Sequence, residues 1–213
     1  RNVVKDATTY AICASFCENL KVKETDYANS ALNTVYIPKT LPDAEDAAYT
    51  YIYMLSQVSH DNSVFSAALQ DFVEKYPNNA DGYVERAKYN ASQGKFNDCE
   101  TDIAKAVSLS DKKDNPHYVF SRLVYQNALY NSEKANSAGW TLEKSASEAQ
   151  EAYNINPLPL YQLQLGDCFF GMKKYSDAVN MYSAVNSSSR ATPEPYFDAA
   201  RARAKVDSLQ AKI

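Results

Sequence analysis

Apolar and small residues recur at helical spacing through most of this chain, separated by short polar stretches that carry the glycines and prolines. One segment runs Tyr83, Arg86 and Ala87, then Gly94, then Phe96, Cys99, Ile103 and Ala106. A second runs Leu165, Gly166 and Phe169, then Tyr175, Ala178, Tyr182 and Val185. Each reads as two amphipathic helices joined by a tight turn. Gly94 suits that turn because it can take positive φ; in the second segment Lys173 and Lys174 occupy it. Only five glycines occur, and Pro42, Pro77, Pro157, Pro159, Pro193 and Pro195 gather between segments. Helices broken at intervals follow, and the predicted class is all-α.

The segments repeat. Tyr49, Tyr83, His117, Gln162 and Tyr196 mark one register, with steps of 34, 34, 45 and 34 residues between them. Three places later comes a pair whose second member is small, as in Arg86 and Ala87, Phe120 and Ser121, Leu165 and Gly166, and Ala199 and Ala200; Ile52 with Tyr53 departs. The long step is an 11-residue insertion ending near Trp140, polar and glycine-containing, which suits a loop or a helix extension. Phe65 and Phe72 stand where the other segments have smaller residues, with Leu69 between them in place of an aromatic, so that helix is expected to pack differently.

Two short helices with small residues at their crossings, repeated every 34 residues, resemble the tetratricopeptide (TPR) repeat family, in particular bacterial TPR-containing proteins. The likeness covers roughly residues 46 to 212. It implies a right-handed superhelical solenoid of stacked antiparallel helix pairs. The expected divisions are a degenerate helical pair at 1–43, repeats at 46–79 and 80–113, a third at 114–157 with its insertion near 131–140, a fourth at 159–192, and a final helix at 193–213. The chain begins with Arg and ends inside a helical pattern, so a fragment of a longer protein is expected.

In this family the first helix of each pair lines a concave groove. Carried over by register, the groove residues are Met54, then Val84 and Lys88, then Tyr118, Arg122 and Tyr125, then Leu163, Asp167 and Phe170, and last Phe197 and Arg201. Aromatic residues and arginine bring rigid area and directed hydrogen bonds, so Tyr118, Arg122, Tyr125 and Phe170 form the expected centre. The chaperone-binding members of the family grip a terminal carboxylate with paired lysine, asparagine and arginine. The corresponding residues here include Met54, Glu85 and Val119, which cannot make that clamp.

Charge and chemistry narrow the reading further. The net charge is −4 with acids and bases interspersed, which gives no footprint for nucleic acid; the run Arg201 to Lys205 reads as a solvated helix face. No apolar run is long enough to span a membrane. G-x-x-x-x-G-K-[ST], G-x-S-x-G and H-E-x-x-H are missing, and His60 and His117 are the only histidines. An enzyme is not expected, nor a cofactor or metal. Cys99 and Cys168 read as small packing residues; Cys13 and Cys17, four apart on one helix, are poorly placed for a disulfide.

The expected function is a non-enzymatic scaffold that binds a peptide or protein partner on its concave face. One alternative is a structural arm that self-associates within a larger repeat protein. Another is a carbohydrate-binding helical domain of an exported bacterial protein, with Trp140 on the insertion loop stacking on sugar; the same tryptophan could anchor a protein partner or pack as a lid on its own hairpin, and the Tyr-, Asn- and Ser-rich composition leans toward an extracytoplasmic, periplasmic location.

Overall fold

The computed structural model describes residues 43–58, 62–130, 132–188 and 196–211, with the side chains of residues 54, 57–58, 62, 132, 186–188 and 196–202 outside that description. The helical pair expected at 1–43, with Cys13 and Cys17, and His60 lie outside the described residues. Among the described residues there are ten α-helices and no strand: α1 Glu45–Val58, α2 Asn62–Lys75, α3 Ala80–Ser92, α4 Phe96–Leu109, α5 Asp114–Tyr130, α6 Ser132–Ser137, α7 Leu142–Ile155, α8 Pro159–Gly171, α9 Tyr175–Ser188 and α10 Tyr196–Gln210. The all-α class holds. The chain divides into two units after Tyr89, within α3.

In the first unit Ala48, Tyr51, Ile52 and Leu55 of α1, and Ala68, Leu69, Phe72 and Val73 of α2, are buried. Both sets follow the three- and four-residue spacing of one helix face. Phe72 centres this core, with ring centroids 6.1 Å from Tyr49 and 5.0 Å from Tyr76. A Cβ on Gly82 would sit 2.4 Å from its ring, so α3 reaches α2 only because residue 82 has no side chain. Asn79 opens α3 by accepting a hydrogen bond from the Gly82 amide at 2.8 Å. Phe65 packs edge-on against Tyr89 at 5.5 Å, which accommodates the bulky stripe of α2. Tyr53 is exposed, one step round the helix from the buried Ile52.

The second unit repeats one device at three helix ends. Gly94 N–H donates to the Ala91 carbonyl and Lys95 N–H to Asn90; Gly139 and Trp140 donate likewise to Asn136 and Ala135, and Lys173 and Lys174 to Phe170 and Phe169. These paired bonds satisfy carbonyls that the helix end leaves open, and they require a left-handed residue at the turn. Gly94 (φ 71°) and Gly139 (φ 75°) supply it without strain, whereas Lys173 (φ 61°) carries a Cβ there.

After each of these turns a helix presents a buried stripe at i, i+4 and i+7: Cys99, Ile103 and Ala106 on α4, Ser145, Ala149 and Ala152 on α7, Ala178, Tyr182 and Val185 on α9. Helix α8 packs against α5, α7, α9 and α10. It is accordingly buried on almost every side: Tyr161 and all residues from Leu163 to Cys168 are shielded. At its crossing with α9 a Cβ on Gly166 would lie 2.5 Å from the Tyr182 ring.

The described part of the insertion forms α6, turns at Gly139, and delivers Trp140 into the core with ring centroids 4.5 Å from Phe96 and 5.4 Å from Phe120.

Candidate functional site

The third helix pair starts from a buried carboxylate. Asp114, at the first turn of α5, accepts hydrogen bonds from Tyr161 Oη at 2.7 Å and Asn156 Nδ2 at 3.0 Å. Burial pushes its pKa up, but these bonds and two backbone amides outweigh that and hold it below the usual carboxylate value. The carboxylate therefore stays charged and fixes Tyr161. Burial, then Asp114 itself, raises the Tyr161 pKa, so its hydroxyl remains a donor. One face of the Tyr161 ring meets Tyr118, with centroids 5.0 Å apart.

Arg122 lies one helical turn beyond Tyr118, and its Nη1 donates to Tyr118 Oη at 3.2 Å, with the guanidinium 6.0 Å from the ring centroid. Arg122 is exposed and has no carboxylate partner among the described residues. Tyr125, another turn on, is half-buried near Gly171 of α8. A chain of contacts from Asp114 through Tyr161 and Tyr118 thus presents a guanidinium to solvent on a positioned aromatic base.

The expected groove residues of α8 lie elsewhere. Leu163 is 2% exposed and joins a core with Ala178, Tyr182 and Val185, so it does not line an open surface. Asp167 is 5% exposed and accepts from Tyr182 Oη at 2.7 Å and from Lys205 Nζ of α10 at 2.6 Å. Phe170 is partly buried against the same core, with its ring 5.7 Å from Tyr175. Lys205, read from sequence as part of a solvated face, is instead paired and partly covered.

Other expected residues scatter. Val84 is buried in the first unit, while Lys88 is exposed and pairs with Glu85 of its own helix at 2.7 Å. Met54, Phe197 and Arg201 belong to α1 and α10, but their side chains lie outside the described set. Trp140 is fully buried and its Nε1 donates to Glu100 Oε1 at 2.6 Å, an oxygen that also accepts from Lys144 Nζ. Its indole is core, and no ring face is left for a sugar.

Two polar groupings escaped the sequence reading. Ser121 and Ser145 exchange hydroxyl-to-carbonyl bonds at 2.8 Å between α5 and α7, and Ser145 Oγ lies 3.1 Å from Cys168 Sγ. His117 Nδ1 meets Glu148 Oε2 at 2.7 Å across the same helices. The signal for the serine pair was the small residue that recurs at the Ser121 position across the repeats, which marks a crossing without revealing that a hydroxyl fills it. Burial raises the Cys99 pKa to about 12 and that of Cys168 to about 11, so both remain thiols near neutrality. No three metal-ligating side chains gather among the described residues, and no described helix is long and apolar enough to cross a membrane. In comparisons with models of protein families and with curated proteins, nothing matches the chain.

Proposed function

We infer that the chain is a TPR-like repeat protein that serves as a scaffold, taking a peptide or protein partner on the α5 face that carries Tyr118 and Arg122. The helix pairs, their left-handed turns and their i, i+4, i+7 stripes support the family reading, and the superhelical stacking of pairs belongs to it. The observation that carries the function is Arg122: an exposed guanidinium with no carboxylate partner among the described residues, seated on a tyrosine that Tyr161 holds in place. Such a group has lost part of its freedom before a partner arrives, so less ordering opposes binding. Arginine and tyrosine are also among the residue types that most often dominate interface energy. The sugar-binding alternative depended on Trp140, whose ring is enclosed by Phe96 and Phe120.

Immobilised full-length chain, its Arg122→Ala variant and a Lys112→Ala control test this reading against a lysate of the source cells. A partner captured by wild type and control should fall at least tenfold with Arg122→Ala. Equal capture by all three contradicts the assignment.

A further inference from the structure

We propose that Asp167, Phe170 and Tyr182 form a recognition site for a lysine borne on a partner's helix, and that Lys205 of α10 fills it in cis as an internal ligand. The proposal concerns a different face from that of Arg122 and does not depend on it.

The ammonium of Lys205 is held from several directions. Its Nζ lies 2.6 Å from Asp167 Oδ1 and 3.3 Å from Tyr182 Oη, and 5.3 and 5.5 Å from the ring centroids of Phe170 and Tyr182. A nearly buried carboxylate flanked by two ring faces matches a compact cation, because the rings add attraction without competing donors. Tyr182 donates to the same Asp167 oxygen and so orients the acceptor. Among the described side chains, those that surround the ammonium stand on α8 and α9, and α10 supplies the lysine that occupies them.

The described side chains of α10 begin at Arg203. Lys205 and Val206 are partly covered, Val206 against the Leu163 and Tyr182 core, and Leu209 is buried; Arg203, Ala204, Asp207, Ser208 and Gln210 are exposed. One lysine, the apolar residue after it and another apolar residue one turn on make up the described contact. A partner helix with that pattern carries the same charge and apolar residues into the seat. The cis helix competes at the high effective concentration of a tethered group, so a partner's apparent affinity falls by the fraction of time the seat is open.

A fluorescein-labelled peptide of residues 196–211, titrated by anisotropy into the full chain carrying Lys205→Ala and Leu209→Ala, tests this. It should bind that variant at least tenfold more tightly than wild type, whose own α10 competes. The same peptide with Lys205→Ala should bind at least tenfold more weakly. Equal binding of the two peptides, or none by a variant of native helix content, overturns the proposal. Hydrogen exchange of the wild-type chain gives an arm free of substitutions: α10 amides should exchange through an opening that leaves α8 and α9 protected. Exchange of α10 only together with α8 and α9 makes it an integral cap and overturns the proposal. Wild-type dimers that exchange α10, seen by light scattering, would assign the seat to a second copy and overturn the partner reading.

Discussion

Tyr118, Arg122 and Tyr125 on α5 stand in the same register as Leu163, Asp167 and Phe170 on α8, each pair 45 residues apart, yet they meet opposite environments. On α5 the middle residue is an exposed cation seated on a tyrosine. On α8 it is a buried anion closed over by a lysine from α10. Register therefore places a side chain on a face of its helix. Whether that face is open depends on what later chain packs against it.

The largest test of this contrast is stability at the two middle residues. Asp167→Ala removes the acceptor shared by Lys205 and Tyr182. Stranding one partner of a buried pair costs about 3 kcal/mol, and the partial exposure of Lys205 keeps the effect to that low end. Arg122→Ala should stay within about 0.5 kcal/mol, as for most surface changes. Urea unfolding compares them, and equal losses would break the contrast.

The crossing residues sharpen it. Gly166→Ala forces a methyl group into the Tyr182 ring and should cost about 1–3 kcal/mol by overpacking. Its counterpart Ser121→Ala creates no clash and loses a hydroxyl bonded to the Ser145 carbonyl, about 1 kcal/mol. Thermal unfolding of the two variants should rank them in that order.

The turns give a gain. Lys173 occupies the left-handed position that Gly94 and Gly139 fill elsewhere, so Lys173→Gly should relieve backbone strain and stabilise by about 1 kcal/mol. Gly94→Ala should do the reverse. A melting temperature that falls with Lys173→Gly would show that the turn is not strained.

The smallest effect is electrostatic. The hydrogen bond to Glu148 raises the His117 pKa, burial opposes it, and the Glu148 and Glu151 charges add to the rise. A folded pKa above the unfolded value of 6.5 means the contribution is fully present below that value. It is lost as pH rises through the folded pKa. Between about pH 6 and pH 8 the wild type should lose about 0.5 kcal/mol relative to His117→Gln. Parallel stability curves for the two proteins would remove the pair as a contributor.

These contrasts also show what was readable beforehand. The helical class followed from apolar spacing and from prolines confined to junctions, since both act locally. The left-handed turn at Gly94 was legible for the same reason. The burial of Leu163 and Asp167 was not, because α10 covers them from some forty positions away and leaves no local mark. Lys205 was misjudged as solvated since alternating bases and alanines look the same whether or not one base meets a carboxylate. Trp140 was legible in part. A polar insertion suited a loop or a helix extension and left its tryptophan free to stack on a sugar or to pack on its own hairpin; the hydrophobic residue just after Gly139 is where this type of helix end turns the chain inward.

The central claim is that the α5 face is open and engages a partner while the matching α8 face is closed. Photo-crosslinking tests it most directly, with benzoylphenylalanine placed in the full-length chain at Arg122, at Gln126 and, as a control, at the exposed Lys105 of α4. Irradiation in the source cells should give the same discrete adduct from Arg122 and Gln126 and none from Lys105. No adduct at either α5 position, or an identical pattern at Lys105, would contradict the account.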